Sequence, residues 1–371
     1  MNIPVNRPSV GQEELRGVEE VFKTGWLGMG SVVFEFENLL KKYLGARNVI
    51  AVNTGTSALH IALYSMGIKS GDEVILPSLT FASSPQAVLM CAAKVVFCDI
   101  EEDTLNMCVA DVKKKITRKT KAIMPVHYSG LPCDMNSILA LAKKHGLRVV
   151  EDAAHAFGSI YNGKKIGSFG DATCFSFDPI KLITCGEGGA VVTDDDTLAE
   201  KIVRKRILGI DKDTYNRYKH KRNWFYEVRE LGYRYHMSNI NAAIGIAQMD
   251  KIEGFLKRKR EISAMYDEGL KDVKMIGLIK KDYADVAPFN YIIKVKGNKR
   301  DELMTFLHDK GVDTGVHYIP NHTQPFFKQH RTSLPKTEKI AGQILTLPLY
   351  CDMTDKDVGH VVSSIREFFN P

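Results

Sequence analysis

Hydrophobic and polar positions form two alternating kinds of segment over the first half of the chain. Short runs rich in Val, Ile and Cys predict buried strands, and longer segments with apolar residues every three or four positions predict helices between them. We predict strands at residues 48–52, 73–76, 94–98, 122–126, 148–150, 172–177 and 190–193. We predict helices at residues 12–23, 32–43, 57–66, 83–91, 109–115, 135–145 and 194–208. This alternation predicts βαβ units, and therefore an α/β fold with a mostly parallel sheet between helices.

The pattern changes in the last third of the chain. A long helix is predicted at 239–270, and the alternating segment FNYIIKV predicts an antiparallel strand with one solvated face. The remaining predicted elements are a helix at 301–310, a strand near 312–316, an apolar run at 344–347 and a helix at 355–369. We therefore predict a large α/β domain over residues 1–254 and a small C-terminal α+β domain over residues 255–371.

The composition is typical of a globular enzyme. Of the 371 residues, 44% are hydrophobic and 26% are charged, so the chain can bury a sizeable core. The formal net charge of +7 is too small to predict a nucleic-acid partner. No apolar run reaches the roughly 20 residues that a membrane-spanning helix needs, and the N-terminus lacks the pattern of a secretory signal. We therefore expect a cytoplasmic protein with no membrane partner.

The cysteines predict neither a metal site nor a disulfide framework. There are seven of them, an odd number, and no two form a CxxC pair. No other spacing of His, Cys and Asp suggests metal ligands, so we predict no metal. Reduced cysteines within the predicted strands behave as small hydrophobic residues.

A single lysine, Lys181, follows the strand at 172–177 and the bend at Asp178-Pro179. Its sequence neighbours are apolar. Burial in apolar surroundings disfavours the ammonium form and lowers the pKa of a lysine. A neutral amine can attack an aldehyde and form a Schiff base. We therefore predict that Lys181 binds pyridoxal 5′-phosphate.

A candidate phosphate site follows the first predicted strand, in the segment NTGTSA. Gly55 provides a turn, and Thr56 and Ser57 supply hydroxyl groups at the start of a helix. Free backbone N–H groups and the helix dipole make such a position an anion site. The same segment can instead be a helix cap with no ligand. Neither GxxxxGK[ST] nor GxGxxG occurs, which argues against the ordinary nucleotide-binding folds.

Other residues suit the ring of pyridoxal phosphate. Asp152, at a strand end, is placed to bond a pyridinium N–H and keep it protonated. His155 could bond the phenolic oxygen, and Phe81 could stack on the ring's exposed face. Each of these residues alone also has a structural interpretation, as a helix-terminal carboxylate, a surface histidine or a core aromatic. The ordered set of phosphate site, acid, serine (Ser176) and lysine (Lys181) on one parallel sheet favours the coenzyme.

The motifs that contain these residues carry a family resemblance. They read NTGTSALH, LPSLTF, EDAAHAFGS and FSFDPIKLITCGEGGAVVTDD, and they resemble those of the DegT/DnrJ/EryC1/StrS sugar aminotransferases. The likeness continues through GYRYHMSNINAAIGIAQMDKIE and TGVHYIPNHTQPFF, so it covers nearly the whole chain. Within the family the chain looks most similar to the branch that aminates UDP-linked 4-keto sugars, including the 4-amino-4-deoxy-L-arabinose and pseudaminic acid pathway enzymes. The resemblance implies a fold-type-I PLP-dependent transferase.

The resemblance also implies a role for each candidate. Lys181 binds the coenzyme and moves a proton during catalysis, and Asp152 pairs with the pyridine nitrogen. Phe81 stacks on the ring, and His155 occupies the place where many relatives have glutamine. The phosphate is held by Gly55, Thr56 and Ser176.

Relatives share their active sites across a homodimer. They complete the phosphate site with a residue of the partner's GYxY region, so Arg234 or His236 would have this role here. A family offshoot that dehydrates its substrate has histidine where this chain has Lys181, so the lysine argues against dehydration.

The expected reaction is a transamination. L-glutamate would supply the amino group, and the keto carbon of a nucleotide-linked sugar, C4 rather than C3, would receive it. Candidate substrate contacts are His317, Tyr318, His322 and Arg222. Arg222 lies within a basic segment at 209–229 that we predict to be a long loop, and two interpretations of it stay open: a loop that closes over the site, or a disordered surface loop. Two alternatives stay open: a PLP-dependent sugar dehydratase, and a non-catalytic protein that senses the coenzyme or a sugar.

Overall fold

The computed structural model describes residues 2–210, 226–279, 281–330 and 332–370. Its largest sheet has seven strands, in the order β1-β9-β8-β5-β4-β2-β3. These strands are β1 (Asn48–Val52), β2 (Glu73–Pro77), β3 (Lys94–Cys98), β4 (Thr120–Ile123), β5 (Arg148–Asp152), β8 (Ala172–Ser176) and β9 (Gly189–Thr193). Two short strands, β6 (Ile160–Tyr161) and β7 (Lys164–Lys165), pair with each other.

The helices agree with the predicted segments to within three residues at either end. In chain order they are α1 (Gln12–Thr24), α2 (Ser31–Leu44), α3 (Gly55–Ser65), α4 (Ser83–Met90), α5 (Val109–Lys115), α6 (Met135–His145), α7 (Asp196–Lys205), α8 (Asn239–Leu270), α9 (Arg300–Asp309), α10 (Pro335–Ala341) and α11 (Asp355–Phe369). The short helix α10 is the one in this series that the sequence did not predict.

Six of the seven strands in the large sheet run in one direction. β2 is parallel to β3 and β4, β4 to β5, and β5 to β8, whereas β9 is antiparallel to β8 and β1. The prediction of a mostly parallel α/β fold is therefore confirmed. Because parallel strands end at the same edge, the turns that follow β1, β2, β5 and β8 lie along one edge of the sheet.

Both faces of this sheet are buried, which explains why the central positions of its strands are mostly apolar on both sides. One face packs with α3 in a core that includes Ile50, Leu63, Leu76 and Phe97. The other packs with α2 and α8 in a core that includes Phe36, Leu40, Phe175 and Phe177.

The C-terminal part is built around a second, antiparallel sheet of β10 (Ile276–Leu278), β11 (Tyr291–Val295) and β12 (Ile344–Leu347). Its core also contains Ile3, so the N-terminal segment packs here as well. The strand predicted near 312–316 is absent: Val312 and Gly315 form only single bridges, to Ile3 and to Thr346, because each is adjacent to a different segment.

The long helix α8 joins the two parts of the molecule. It begins in the core of the large sheet and ends in that of the small sheet. The division at 254/255 falls inside this continuous helix and stays a prediction. In the described ranges, no helix has both the length and the apolarity needed to cross a membrane.

Candidate active site

A cavity of about 420 Å³ lies where the strands of the large sheet end and the small sheet begins. Its walls come from the turns after β1, β2, β5 and β8 and from one segment of the C-terminal part. Nine residues singled out in the sequence line it: Gly55, Thr56, Phe81, Asp152, His155, Ser176, Lys181, His317 and Tyr318. Tertiary structure therefore brings together residues that are more than 250 positions apart in the chain.

Lys181 lies in the loop between β8 and β9. Backbone hydrogen bonds close the base of this loop, from Phe177 N to Gly188 O at 2.8 Å and from Cys185 N to Phe177 O at 2.9 Å. The lysine Nζ lies 4.1 Å from the centre of the Phe289 ring. Burial lowers the pKa of Lys181 to about 8, although Asp178 and Asp152 favour the charged form. The neutral amine is therefore far more populated near neutral pH than in an ordinary lysine, although the charged form still predominates there.

Asp152 ends β5 and is 5% exposed. Ser84 Oγ donates to its Oδ2 at 2.6 Å, and the backbone N–H of Ala154 donates to its Oδ1 at 3.2 Å. Burial raises the pKa of Asp152, and these two donors together with Lys181 only partly oppose it. The carboxylate would therefore gain from a cationic partner in the cavity.

The N-terminus of α3 points into the same cavity. Thr54 caps the helix by accepting a bond from Ser57 N at 3.0 Å, and Ser57 Oγ donates to Asn53 at 2.7 Å. Ser57 is thus part of the cap, with its hydroxyl bonded within the turn, and it is not among the residues that line the cavity. The N–H groups of Gly55 and Thr56, in the first turn, have no acceptor within the helix.

Gly55 permits a close approach between α3 and β8. A Cβ atom at this position would lie 2.7 Å from Ser176 Cβ and 3.0 Å from its Oγ. The absence of a side chain therefore lets the helix N-terminus and the serine hydroxyl converge on one point. Such a cradle of N–H groups and a hydroxyl suits a phosphate.

His155 forms a hydrogen bond at each ring nitrogen. Its Nδ1 accepts from Ser129 N at 3.4 Å, so Nε2 carries the proton and donates to Tyr318 OH at 3.0 Å. Burial, with Lys181 and His317 nearby, holds the pKa of His155 well below its ordinary value. The imidazole is therefore neutral and is already bound to Tyr318 on the cavity side.

Phe289, which the sequence did not single out, contacts two site residues. Its ring stacks on His155 with centroids 4.0 Å apart and planes inclined by 14°, and it lies beside the Lys181 amine. Phe289 precedes β11 of the small sheet, and nothing in its local pattern distinguishes it from an ordinary core aromatic. Phe81, by contrast, is 58% exposed at the cavity mouth, where its ring lies 5.7 Å from that of Tyr318.

The two candidate histidines of the C-terminal part lie in different surroundings. His317 lines the cavity, with Nδ1 2.8 Å from Thr346 Oγ1, and burial together with Lys181 lowers its pKa to about 4. His322 is 2% exposed and bonds Ser78 Oγ at 2.7 Å and Glu338 at 3.2 Å. Its position therefore does not support the predicted substrate contact, because both ring nitrogens are used to join two segments.

Arg234 and His236 lie away from this cavity. They line a second cavity of about 620 Å³, together with Trp26, Leu27 and Tyr226. The alternate residues of the same segment point the other way, where Tyr235 OH bonds His60 Nδ1 at 3.0 Å. Neither candidate thus reaches the Lys181 cavity of its own chain. Arg222 and most of the predicted closing loop lie outside the described residues.

The lining residues match what a phosphorylated pyridine aldehyde requires. Among the described residues, the hydrogen bonds to the buried Asp152 carboxylate come from a hydroxyl and a backbone N–H and not from a cation. The Gly55–Ser176 cradle suits a phosphate, and Lys181 is an amine with a lowered pKa. In the part of the chain that the structure describes, no group of three or more His, Cys, Asp or Glu residues is arranged to hold a metal ion.

Comparison with known proteins places this site in a family context. The chain is 38% identical to the spore coat polysaccharide biosynthesis protein SpsC of Bacillus subtilis, over 98% of the chain and 96% of SpsC. It superposes on PseC of Helicobacter pylori, an aminotransferase involved in the biosynthesis of pseudoaminic acid, with a TM-score of 0.93 and 29% identity, covering 100% of this chain and 99% of PseC.

A second similar structure is known in a form that contains the coenzyme. Spr1654 of Streptococcus pneumoniae, described as a sugar aminotransferase and solved in a PLP form, has a TM-score of 0.92 and 26% identity, covering 99% and 98% of the two chains. Aminotransferases of this family depend on PLP. Residues 8–366 match the family as a whole. The chain therefore belongs to the DegT/DnrJ/EryC1/StrS aminotransferase family.

Proposed function

We propose that this protein is a pyridoxal phosphate-dependent enzyme that transfers an amino group from L-glutamate to the keto carbon, C4, of a nucleotide-linked sugar. The observation that carries the proposal is the convergence of Lys181, Asp152 and the Gly55–Ser176 cradle on one cavity. An amine, a carboxylate and an anion site in this arrangement match the three polar ends of the coenzyme. The product would serve the biosynthesis of a surface polysaccharide or another glycan.

Asp152 and the cradle would orient the coenzyme. When bound, pyridoxal phosphate supplies an electrophilic aldehyde and a ring that withdraws electrons from the reacting carbon. Asp152 would keep the ring nitrogen protonated, and this pairing would offset the burial that raises the carboxylate's pKa. Gly55, Thr56 and Ser176 would bind the phosphate through N–H groups and a hydroxyl.

Lys181 would act as the acid and base of the reaction. A general base must be neutral when it accepts a proton, and a pKa of about 8 makes the neutral amine available near neutral pH. Its loop is held at both ends by backbone hydrogen bonds, so the amine keeps a fixed approach to the cavity. His155, with Tyr318 hydrogen-bonded to it, would position the ring's phenolic oxygen.

His317 and Tyr318 are the proposed substrate contacts within the cavity. His317 uses Nδ1 toward Thr346, so its second nitrogen is available to a hydroxyl or carboxylate of the substrate. Arg222 and the other basic residues of segment 209–229 are proposed to contact the diphosphate. The biosynthetic roles of PseC, in making pseudoaminic acid, and of SpsC, in making a spore coat polysaccharide, support a sugar substrate.

We further propose a homodimer with shared active sites. Arg234 and His236 point away from the Lys181 cavity of their own chain, toward a second cavity with half-exposed apolar walls at Trp26 and Leu27. A partner chain seated on this surface would bring these cationic or polar side chains to the partner's phosphate cradle.

The coenzyme and the amino donor can be tested by absorbance. Purified protein with pyridoxal phosphate is expected to show a visible band that bleaches on addition of L-glutamate. Lys181→Ala should lose the band and all transamination. A band that glutamate leaves unchanged would favour the sensor alternative over the enzyme.

The acceptor can be tested by mass spectrometry. The protein is incubated with glutamate and a panel of UDP-, dTDP- and GDP-linked keto sugars, and the products are weighed. An amino sugar formed with one equivalent of 2-oxoglutarate is expected. A deoxy product formed without consumption of glutamate would instead identify a dehydratase.

A further inference from the structure

A second buried lysine lies behind the active site, on helix α8. Lys259 is 3% exposed, and its Nζ donates to the backbone carbonyl oxygen of Phe289 at 3.3 Å. Lysines this deeply buried are normally paired with a carboxylate. The neighbours that act on Lys259 are instead this carbonyl and the Cys351 thiol. Burying a lysine in this way lowers the free energy of unfolding, which indicates a role for Lys259 beyond packing.

Phe289 connects the two lysines. Its carbonyl oxygen accepts from Lys259, while its ring lies 4.1 Å from the Lys181 amine and stacks on His155. The residue is 2% exposed, so its ring is fixed by contacts on every side. Any change in the bond from Lys259 is therefore transmitted to a ring that touches the reacting amine.

We propose that Lys259 is a positioning residue for Lys181. It holds the Phe289 ring against the reacting amine and keeps a positive charge on the far side of that ring, and this charge favours the neutral form of the amine. The inference rests on the role proposed above for Lys181. It assigns to the second half of α8, which lies beyond the last motif residue of that helix, an influence on the reaction through Phe289.

The electrostatic neighbours of Lys181 agree with this role, and burial lowers the pKa of Lys259 as well. Burial is the main cause of the lowered pKa of Lys181, Asp178 and Asp152 oppose it, and Lys259 reinforces it. The Glu187 carboxylate lines the same cavity, and burial with Asp178 nearby raises its pKa. The remaining titratable groups that face Lys181 or Lys259 are His155, His317, Tyr318 and Cys351.

These other groups do not change charge near pH 8. Burial lowers the pKa of His155 and of His317, so both are neutral there. Burial raises the pKa of the Tyr318 hydroxyl and of the Cys351 thiol, so both stay protonated. The titration of Lys181 therefore responds to the carboxylates of the cavity and to Lys259.

The test measures the Lys181 amine directly, in protein without coenzyme. Trinitrobenzenesulfonate, which reacts only with neutral amines, is applied across a pH series, and labelling of the Lys181 peptide is quantified by mass spectrometry. One phenylalanine residue separates the two amines, which places them roughly 10 Å apart. At an effective dielectric constant of about 20, the positive charge of Lys259 then shifts the pH profile of Lys181 labelling by about one pH unit. Lys259→Met should therefore move the profile upward by about one unit and slow labelling about tenfold below it.

Three further variants separate charge from packing. Lys259→Arg keeps the charge and should retain the wild-type labelling profile. Lys259→Gln keeps a hydrogen-bond donor without the charge, so its profile should shift as far as that of Lys259→Met. Lys259→Gln also replaces Lys259→Met if the latter protein does not fold. Lys165→Met is the matched control, because Lys165 also donates to an aromatic residue's carbonyl, that of Tyr43 at 3.0 Å, and it should leave the profile unchanged.

An unshifted profile in folded Lys259→Met or Lys259→Gln protein would overturn the inference. So would an equal shift in Lys259→Arg, because the effect would then not come from the charge. No coenzyme is used in the labelling, so these results bear on Lys259 alone. Failure of the proposed function would appear separately, as a missing visible band with pyridoxal phosphate.

Discussion

Gly55 at the start of α3 provides a sharp test of the proposed phosphate site. In Gly55→Ala the new Cβ would lie 2.7 Å from Ser176 Cβ. Non-bonded carbon atoms pack at about 3.5–4.0 Å, so α3 and the end of β8 must separate by about 1 Å. Both elements carry proposed phosphate ligands. The substitution therefore widens the cradle itself, while the rest of the fold is left intact.

The expected loss of affinity follows from this displacement. A separation of about 1 Å breaks one hydrogen bond to the phosphate, and a hydrogen bond to a charged group contributes about 1.5–3 kcal/mol. The dissociation constant for pyridoxal phosphate should therefore rise roughly 10- to 150-fold. Overpacking should also lower the free energy of unfolding by about 1–3 kcal/mol.

The assay titrates coenzyme-free protein with pyridoxal phosphate and follows visible absorbance, with urea unfolding measured in parallel. Gly359→Ala in α11 is the matched control, since a Cβ there meets nothing within 4 Å. It should stabilise the protein by about 0.5–1 kcal/mol and leave the affinity unchanged. Wild-type affinity in Gly55→Ala would refute the reasoning, because the phosphate could then not lie between α3 and Ser176.

Two further predictions concern buried charges. Asp152 has a raised pKa in the folded protein, so the stability it contributes is present at low pH and is lost as the pH rises through that pKa. Asp152→Asn should therefore raise the melting temperature of the coenzyme-free protein at neutral pH but not at low pH, because Ser84 Oγ can accept a hydrogen bond from the new amide just as it now donates to the carboxylate. The same substitution should weaken coenzyme binding. A lower melting temperature at neutral pH would contradict the assignment. Arg206, 1% exposed, donates to Glu37 at 2.5 Å and to Ala51 O at 2.8 Å. Arg206→Ala leaves Glu37 buried and uncompensated, so urea unfolding should show a loss of about 3–5 kcal/mol, and a loss below about 1 kcal/mol would show that the carboxylate finds another partner.

The alternation of apolar strands and amphipathic helices is by itself enough to determine the main sheet. Strand ends then indicate where chemistry lies, because parallel strands present their C-terminal turns at one edge. This rule points to Asp152 and Lys181 as candidate site residues, because both come at or just after the end of a strand, and both line one cavity in the folded chain. These are properties of short segments, in which period, turn residues and burial can be read from neighbouring positions.

Tertiary structure decided the features that depend on contacts between distant segments. Ser57 faces its own cap and His322 joins two segments, although each has a suitable side chain close to the site in sequence. Phe289 and Lys259 carry no motif, yet Phe289 lies next to Lys181 and Lys259 bonds Phe289 from behind, because α8 and the small sheet pack against the strand edge. Periodicity records which face of an element is buried; it carries no information about which residue lies across the interface, and that is settled only when the elements pack.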